Sequence, residues 1–550
     1  MLGCCFLMAC TVSTHLAKAL TDYVTTKTAN SKLRRDYQKA YAYQSAKAYK
    51  EAEKAYKKIL KKAPTFVNAY LQLGGLYQAQ ERYREAYQEY QKAAKLAPDY
   101  DSKVYYAMGN LMMFKADYTT AAGHYRRYLS FDKNHPKLVE RAQKKLGDAE
   151  FRPGALAAPV PFEPVNLGTN INTSNREYFP SITLEDDLVY TMQHYVQDRN
   201  QEDLYMSRLV DGEWQKGISL PINTPQYNEG AQSISADGSA LVFTVCNRRG
   251  DMGSCDLYYS SIKGNRWSPP VNMGYPINTG NWESQPSLSA DGKTLYFSRG
   301  APRGLGTRDL YRTAQKADGT WTTPEPVEEL NTPFNEGGPT LHADGKTLYF
   351  SSDGHPGMGR ADLFVSHLQA DGTWGTPQNL GYPINTEQHE EALAVSRQGK
   401  LAYLASNREG GAGSMDLYQF ELPEAVRPTP VTFVKGLVVH ALTDQPLSAK
   451  VELVDLATQK AVADLTTPAD GAFLLCLPVG RYALRVNKKG FLFYSATYDL
   501  EANTSVDEPY VLKAPLQPVV TSDNAPIKRT PIVLENVFFA TASAELRPES

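Results

Sequence analysis

Hydrophobic residues recur with two different periods along this chain. Between residues 160 and 423, apolar and polar positions alternate in short runs such as 293–298, and these runs are separated by Asp-Gly or Gly-rich turns. Alternation with a period of two, bounded by such turns, predicts β-hairpins. Between residues 33 and 150 the pattern changes to helical periodicity. The chain is therefore predicted to be multidomain, with an α-helical part followed by a longer all-β part.

The β-rich region repeats one pattern five times. Every copy opens with Asn-Thr, at Asn172, Asn223, Asn278, Asn331 and Asn385. Every copy then reaches an Asp-Leu-aromatic triplet, 53 or 54 residues after the previous one, at Asp203, Asp256, Asp309, Asp362 and Asp416. A four-stranded unit repeated at such a period cannot bury its apolar face alone. Residues 160–423 are therefore predicted to form a five-bladed β-propeller.

The ends of this region predict how the propeller closes. The last copy lacks a fourth strand, because residues 421–423 run directly into a Pro-rich linker. Residues 162–168, just upstream of the first copy, match in role the fourth-strand segment that begins at Trp374. We therefore expect these upstream residues to pair with the last copy and to complete its blade.

One glutamate follows each Asn-Thr pair and is a candidate for function. The five glutamates are Glu177, Glu229, Glu283, Glu336 and Glu390. Two alternatives remain open at this point. The carboxylates either ring the central channel, where they would attract a cation or a basic group, or tie each copy to the backbone of the neighbouring blade. The aspartate of each triplet is expected to accept backbone hydrogen bonds within its own hairpin.

The helical stretch carries a 34-residue repeat with small and aromatic residues at fixed positions. In the clearest copy these residues are Tyr70, Leu73, Gly74, Tyr77, Ala86, Tyr90, Ala93 and Pro98. This pattern resembles the tetratricopeptide repeat (TPR) family. The resemblance implies a TPR α-solenoid over residues 31–152, with three helix pairs and a capping helix over 136–151. Such a solenoid has a concave face suited to an extended peptide or a partner protein, and most of the tyrosines are expected in its core.

Two further modules are predicted after the propeller. Residues 431–513 alternate in short apolar strands, which predicts an antiparallel β-sandwich of about seven strands. Gly436, the run 470–473 and the run 477–482 resemble carboxypeptidase-regulatory-like, or transthyretin-like, modules, which carry no catalytic machinery. Residues 514–531 are a linker. Residues 532–550 resemble the start of an OmpA-like domain, and we expect this domain to be truncated before its peptidoglycan-binding residues.

Charge and cysteine placement add two expectations. The chain has a net charge of −2, yet residues 31–150 carry 24 Lys and Arg against 13 Asp and Glu, a net +11. Either an acidic partner or an ordinary solvated helix surface accounts for this charge.

The run Leu7-Met8-Ala9-Cys10 resembles a bacterial lipobox, which implies that residues 1–30 are a lipoprotein signal and linker with lipid attached at Cys10. No run of 18 apolar residues occurs.

The remaining cysteines and polar residues show no catalytic pattern. Cys246 and Cys255 flank a loop between two predicted strands and form either a cross-strand disulfide or two free thiols. Cys476 is expected to be a buried strand residue. The nine histidines lack metal-ligand spacing, and no nucleophile–base pair is visible. The sequence therefore predicts no catalytic residue, no metal site and no cofactor.

The order of these modules resembles OmpA-family lipoproteins of the type IX secretion system. That resemblance implies a non-catalytic scaffold on the periplasmic face of the outer membrane, which tethers a secretion apparatus to the cell wall. Its partners would be envelope proteins bound through the TPR and propeller modules, and peptidoglycan if the rest of the OmpA-like region is present, without nucleic acid. The alternative is a propeller-based envelope protein that processes carbohydrate or peptide, or that binds glycans.

Overall fold

The computed structural model describes residues 23–519, except 184–185, 197–198, 236–237, 264–265, 301–305, 409 and 502–509. The chain forms two compact units, Met1–Pro153 and Gly154–Ser550. The predicted lipid attachment site at Cys10 and the OmpA-like stretch 532–550 lie outside the described residues.

The first unit is built from helices that pack as consecutive pairs. The helices are α1 Ser31–Ser45, α2 Tyr49–Lys62, α3 Val67–Ala79, α4 Tyr83–Leu96, α5 Lys103–Phe114, α6 Tyr118–Leu129 and α7 Pro136–Ala157. The first helix of each pair ends at a turn residue with left-handed backbone, namely Lys47, Glu81 or Ala116. The recurrence of this left-handed turn after the first helix of all three pairs confirms the helical repeat. Helix α7 continues past its predicted end at residue 151.

Glycines allow the two helices of a pair to approach closely. A Cβ atom at Gly74 would lie 2.6 Å from the ring of Tyr90, and one at Gly109 would lie 2.6 Å from the ring of Tyr125. Both tyrosine rings are buried at the contact between the two helices of their pair. A larger residue at either glycine would push the helices apart, which explains why the repeat pattern has glycine there.

The second unit contains five groups of four strands, called sheets 1 to 5 here, one for each copy of the sequence repeat, and a parallel bridge joins sheets 2 and 3 into one continuous sheet. The first three strands of each sheet are consecutive antiparallel neighbours, and the fourth strand is only two residues long. Sheet 1 contains Arg176–Ile182, Leu188–Val196, Arg199–Ser207 and Ile218–Ser219. Sheet 2 contains Asn228–Ile234, Ala240–Cys246, Cys255–Lys263 and Val271–Asn272, with Arg266–Trp267 also paired to its third strand. Sheet 3 contains Trp282–Leu288, Thr294–Gly300, Arg308–Ala314 and Glu325–Pro326.

The last two sheets follow the same plan. Sheet 4 contains Glu336–Leu341, Thr347–Ser352, Asp362–His367 and Gln378–Asn379. Sheet 5 contains Leu393–Val395, Leu401–Ser406 and Asp416–Glu421, and its fourth strand is Val165–Asn166. Val165 is opposite Gln419 in this antiparallel pair. The segment upstream of the first copy thus pairs with the last copy, as its sequence predicts.

The tryptophans occupy a different place from the one predicted. They were expected in the fourth strands, but Trp267 pairs across a short turn with the end of the third strand, and Trp214, Trp321 and Trp374 pair with residues one or two positions after that strand. The fourth strand begins four residues later in each of these sheets. The reason is that the chain makes an additional tight turn, such as Leu209–Val210 with Glu213–Trp214, before it returns along the sheet.

The five first strands lie next to one another in cyclic order, and sheet 5 lies beside sheet 1. Equivalent parallel bridges join successive sheets, including Cys255 with Trp282 and Ala361 with His389. The bridge between Met415 and Arg176 joins the last sheet to the first. Among the described residues, no single sheet closes on itself as a barrel.

Each first strand has an irregularity at the same repeat position. Its backbone is left-handed two residues after the repeated glutamate, with φ between 44° and 61°, at Phe179, Ala231, Gln285, Gly338 and Ala392. In sheets 1 to 4 this position coincides with a β-bulge. Four of the five residues are not glycine, so each carries backbone strain that the surrounding packing maintains. The strands surround a small central cavity at these bulges.

Residues after the 3₁₀ turn Glu424–Val426 form two further sheets over a common core. One sheet contains Val431–His440, Ala472–Pro478 and Tyr510–Leu516. The other contains Lys450–Asp455, Lys460–Thr466, Gly480–Asn487 and Tyr494–Leu500. The seven strands match the predicted number, but the expectation of a purely antiparallel arrangement is wrong. The strand 510–516 runs parallel to 431–440, because it enters the sheet at its open edge from the other sheet.

Candidate functional site

A groove on the helical unit is the first candidate site. It has a volume of about 610 Å³ and is formed by α4, α5 and α6, with the lining residues Gln88, Gln91, Lys92, Ala94, Lys95, Tyr105, Met108 and His124. Tyr105 and Met108 form an apolar floor, and two lysines and two glutamines of α4 stand at its edge. This combination can accept a peptide that buries an apolar side chain and presents carbonyl or carboxylate oxygens to the donors.

Polar contacts fix the sides of this groove. The Nε2 atom of His124 lies 2.9 Å from the hydroxyl of Tyr87, and burial lowers the pKa of His124, so its ring is held neutral at pH 7. Lys92 pairs with Glu89 at 2.7 Å and lies 5.8 Å from the ring centre of Tyr70. The groove is thus an ordered surface, and its lining contains no nucleophile–base pair.

The repeat tyrosines belong to the core, as predicted. The hydroxyl of Tyr56 donates to Gln44 at 2.8 Å, and the hydroxyl of Tyr90 donates to Gln78 at 3.1 Å. Tyr125 makes the corresponding hydrogen bond to Asn110 at 2.8 Å. Burial raises the pKa of Tyr90 to about 12, so its hydroxyl stays protonated and structural.

The five repeated glutamates do not ring the central cavity. Each is at most 8 % exposed, and the cavity is instead lined by residues that follow them along the strand. In every copy, a carboxylate oxygen accepts a hydrogen bond from the threonine hydroxyl of the same Asn-Thr pair. The alternative expectation is also wrong, because these carboxylates bind within their own copy and not to the neighbouring backbone. The corrected residues are Glu177, Glu229, Glu283, Glu336 and Glu390.

The tie between copies is made by the asparagine of the Asn-Thr pair. Its side chain both accepts from the N–H and donates to the C=O of the leucine in the preceding Asp-Leu-aromatic triplet, at 2.8–3.0 Å in all five copies. For the first copy, the preceding triplet is that of the last copy. Asn172 thus binds Leu417, 245 residues away, with the geometry used at every other junction.

The environment of each buried glutamate depends on the residue opposite it in the second strand. Glu229 faces Val245, and burial raises the pKa of Glu229 to about 7. Glu336 faces Ser352, which donates to it at 2.6 Å, yet burial still raises the pKa of Glu336 to about 7. Glu283 faces Arg299, whose Nε lies 2.9 Å from the carboxylate. Among the residues that the described strand pairs place opposite the glutamates of copies one to four, Arg299 alone supplies a buried countercharge.

The triplet aspartates act as predicted in four copies. Asp256 accepts the backbone N–H groups of Met252 and Gly253 at 3.0 Å, and the aspartates of copies three, four and five accept equivalent backbone donors. In the first copy, Asp203 instead lies 3.3 Å from His194. The difference arises because strand pairing in sheet 1 continues to the pair Val196 and Arg199, so no glycine-rich loop supplies N–H groups.

Sequence reasoning missed a second carboxylate cluster, which is centred on Glu391. Its Oε1 atom accepts from Gln285 Nε2 at 2.6 Å and lies 3.2 Å from Arg308, while its Oε2 atom lies 3.1 Å from His389. Burial by itself would raise the pKa of Glu391, but the hydrogen bond from His389 and the charge of Arg308 outweigh it and hold that pKa at about 2. Glu391 directly follows Glu390, the repeated glutamate of the fifth copy, and the residue at that position varies between copies. This variation is the sequence signal that could have marked Glu391.

The cysteines in the described part of the chain divide into two kinds. Cys246 and Cys255 are joined by a disulfide between the second and third strands of sheet 2. Cys476 is a free thiol, and burial raises its pKa to about 12, so it remains protonated and unreactive.

Metal-ligand clusters and membrane-spanning helices are both absent from the described ranges. Within these ranges, no group of three or more His, Cys, Asp or Glu side chains is arranged to hold a metal ion. Within the same ranges, every helix is too short or too polar to span a bilayer.

Comparisons with known proteins identify one module. Residues 43–111 match the family model of the tetratricopeptide repeat. The chain therefore contains tetratricopeptide repeats. Such repeats indicate a protein–protein interaction scaffold. No curated protein matches the chain.

Several solved structures are similar to a part of the chain. The Yersinia enterocolitica type III secretion chaperone SycD, in complex with a peptide of the translocator YopD, is 17% identical over 23% of this chain and 97% of that chain, with a TM-score of 0.21. MamA is 20% identical over 24% of this chain and 72% of that chain, with a TM-score of 0.21. The first TPR of Spaghetti (RPAP3), bound to an HSP90 peptide, is 21% identical over 23% of this chain and 94% of that chain, with a TM-score of 0.20.

Proposed function

We propose that this protein is a non-catalytic scaffold whose helical repeats bind a partner protein. The observation that carries the proposal is the groove between α4, α5 and α6, with its apolar floor and its edge of lysines and glutamines. The net charge of +11 over residues 31–150 favours a partner segment that contains acidic residues. The bound segment would be an extended or helical peptide of another protein.

The second unit would serve as a rigid platform. Its five sheets are interpreted as a five-bladed, WD40-like propeller, supported by the five identical asparagine ties and by the pairing of Val165–Asn166 with the last copy. The two-sheet module over residues 431–516 is interpreted as transthyretin-like, on its seven strands and their common core. Both modules would present surfaces to neighbouring proteins.

The proposed location is the periplasmic face of the outer membrane. It is supported by the lipobox-like run that ends at Cys10 and by the module order, which resembles that of PorE-like OmpA-family lipoproteins. In this role the scaffold would tether a secretion apparatus of the type IX kind to the cell wall, and peptidoglycan would be bound only by the remainder of an OmpA-like domain. A disulfide in sheet 2 is compatible with an oxidising compartment.

The partner-binding proposal is tested by affinity capture with the full chain. Lys92→Glu combined with Lys95→Glu reverses the charge at the edge of the groove and is expected to abolish capture of the partner seen with wild type. Lys54→Glu combined with Lys58→Glu makes the same change in charge on exposed positions of α2 and should retain it. Equal capture by both double variants would contradict the assignment of the groove.

The anchoring proposal has its own test. A Cys10→Ala variant is expected to lose membrane association, and globomycin, which blocks lipoprotein signal cleavage, should cause the precursor to accumulate. If the variant fractionates with membranes as wild type does, the lipid anchor is refuted.

A further inference from the structure

The five copies provide an internal alignment that separates structural positions from variable ones. The Asn-Thr pair, the glutamate and the triplet aspartate are the same in every copy. The asparagine ties successive copies together, and the glutamate binds the threonine of its own copy. The residues on either side of the glutamate vary and include Tyr178, Trp282 and Glu391, whereas two copies have glycine after it, at Gly230 and Gly337. These variable side chains lie at the end of the ring of sheets where the first strands begin.

These variable residues border a cavity of about 240 Å³ at that end. Tyr178, Glu202, Asn228, Trp282 and Gln285 contribute side chains to its lining. The two aromatic side chains are partly exposed, whereas Gly230 and Ala231 add no bulk. This volume is below the roughly 300–1,000 Å³ of sites for drug-sized ligands, so it suits one ring-sized unit of a longer ligand.

The polar lining is held in place by hydrogen bonds. The hydroxyl of Tyr178 donates to Glu202 at 2.6 Å, and the amide of Gln193 donates to the same carboxylate at 3.1 Å. On the opposite side, Gln285 accepts from the backbone N–H of Gly338 at 2.9 Å and donates to Glu391. The lining is therefore ordered before any ligand enters, which lowers the entropic cost of binding.

One ion pair at this end of the ring is internal. Arg308 pairs with Glu391 at 3.2 Å and lies 5.8 Å from the ring centre of Trp282. Arg176 lies 5.6 Å from the ring centre of Tyr178 and donates to Gln193 at 3.2 Å. An anionic ligand would have to compete with Glu391 for Arg308, whereas a neutral ligand with many hydroxyl groups can use the remaining donors and acceptors.

The following module contacts the other end of the ring. Phe433 lies 5.6 Å from the ring-lining guanidinium of Arg397, and Val431 donates its N–H to the carbonyl of Arg397 at 3.1 Å. Val431 and Phe433 also pack against Ala343, another residue that lines the cavity. None of these contacts involves Tyr178 or Trp282, which border the opposite end.

We propose that this end of the ring is a carbohydrate-binding site, in which one sugar ring stacks on Trp282 or Tyr178. The hydroxyls of that sugar would bind Glu202, Asn228 and Gln285. Aromatic faces bind the C–H face of a sugar through apolar contact, and planar carboxylate and amide groups pair with its hydroxyls. This inference goes beyond the scaffold role and does not depend on the helical groove.

The test measures binding of uncharged tetrasaccharides to the full chain by isothermal titration calorimetry. The panel contains maltotetraose, cellotetraose and chitotetraose, with tetraglutamate as the charged comparison. At least one tetrasaccharide is expected to bind, and Trp282→Ala and Glu202→Gln should each weaken it at least about tenfold. Tyr178→Phe, which removes a single hydroxyl, should weaken it less.

The matched control is Trp267→Ala, which removes a tryptophan from the sheet tip and should change affinity less than about twofold. Far-UV circular dichroism checks that each variant folds. The proposal is overturned if no tetrasaccharide binds at millimolar concentration, if tetraglutamate binds more tightly, or if binding is unchanged in both Trp282→Ala and Glu202→Gln. None of these outcomes affects capture of a partner by the helical groove, so the two proposals fail separately.

Discussion

The junction between the last copy and the first gives the most informative single substitution. Asn172 hydrogen-bonds both the N–H and the C=O of Leu417, and Leu417 is fully buried. An Asn172→Ala variant leaves the Leu417 N–H without its partner, whereas the Leu417 C=O keeps a second donor, the N–H of Leu167 at 3.1 Å. A buried group that loses its hydrogen bond costs about 1–3 kcal/mol, so the variant is expected to lose about 1–3 kcal/mol of unfolding free energy.

The assay is urea unfolding followed by tryptophan fluorescence. All five tryptophans lie between residues 214 and 374, so the signal reports on the ring of sheets alone. With a slope of about 3 kcal/mol per molar urea, the midpoint should fall by roughly 0.3–1 M. Asn278→Ala removes the same tie, to Leu257, between two copies that are adjacent in sequence and should cost about the same. Asn407→Ala, at an exposed position, should shift the midpoint very little.

The comparison of the two asparagine variants decides between a ring and an open row of sheets. In a closed ring, Asn172 and Asn278 occupy equivalent junctions, so both substitutions are costly. In an open row, Asn172 would have no preceding sheet to bind, and Asn172→Ala would behave like Asn407→Ala. A wild-type midpoint for Asn172→Ala, with a lowered midpoint for Asn278→Ala, would refute the reasoning.

Three further predictions concern stability. Burial raises the pKa of Glu229 and Glu336 from 4.5 to about 7, so the folded state binds more protons than the unfolded state between these values. Unfolding free energy should therefore fall by up to about 3 kcal/mol per group as pH rises from 4.5 to 7, and replacing both with glutamine should flatten this dependence in fluorescence-monitored urea titrations. Gly74→Ala should destabilise the helical unit by about 1–3 kcal/mol in circular dichroism melts, because its Cβ meets the Tyr90 ring, whereas Gly123→Ala, with open space around it, should be neutral or stabilising by up to about 1 kcal/mol. Reduction of the disulfide in sheet 2 should lower the stability of the ring by about 2–3 kcal/mol, and an unchanged fluorescence midpoint in dithiothreitol would contradict a structural role for it.

Much of the architecture could be predicted because repeats multiply weak local signals. A single alternating run such as 293–298 does not determine a sheet, but five copies at a nearly constant spacing fix the unit and its boundaries. The helical repeat was predictable for the same reason, since Gly74 and Tyr90 recur as Gly109 and Tyr125 in the next pair. Pairing of the upstream segment with the last copy followed from counting strands, not from any local preference.

The roles of the repeated polar residues could not be predicted from spacing. Glu229 and Asn223 are equally regular in the sequence, yet the asparagine makes the contact between sheets and the glutamate binds its own threonine. In sheets 1 to 4 a β-bulge beside the glutamate helps to determine which side chains reach the cavity, and a bulge adds one residue that alternation alone does not reveal. The parallel strand 510–516 was missed because strand direction depends on the path of the connection, not on the strand itself.

The cluster around Glu391 likewise could not be predicted from the spacing of residues in the sequence. Its partners Gln285 and Arg308 belong to sheet 3, whereas His389 lies just before the first strand of sheet 5, so the cluster joins two copies that are far apart in the sequence. In the sequence they are separate residues at different repeat positions. A comparison of the copies with one another, at the positions beside the invariant glutamate, would have marked Glu391 as a departure from the repeat.

The closed ring of five sheets depends most on one strand pair, in which residues from upstream of the first copy complete the last sheet. Val165 and Gln419 are directly opposite each other in that pair. A Val165→Cys, Gln419→Cys double variant should therefore form an intramolecular disulfide under mild oxidation, detected by peptide mapping. The result predicted here is near-complete cross-linking of the folded protein, with none in either single variant. Absence of the cross-link in folded protein would contradict the closed ring of five sheets.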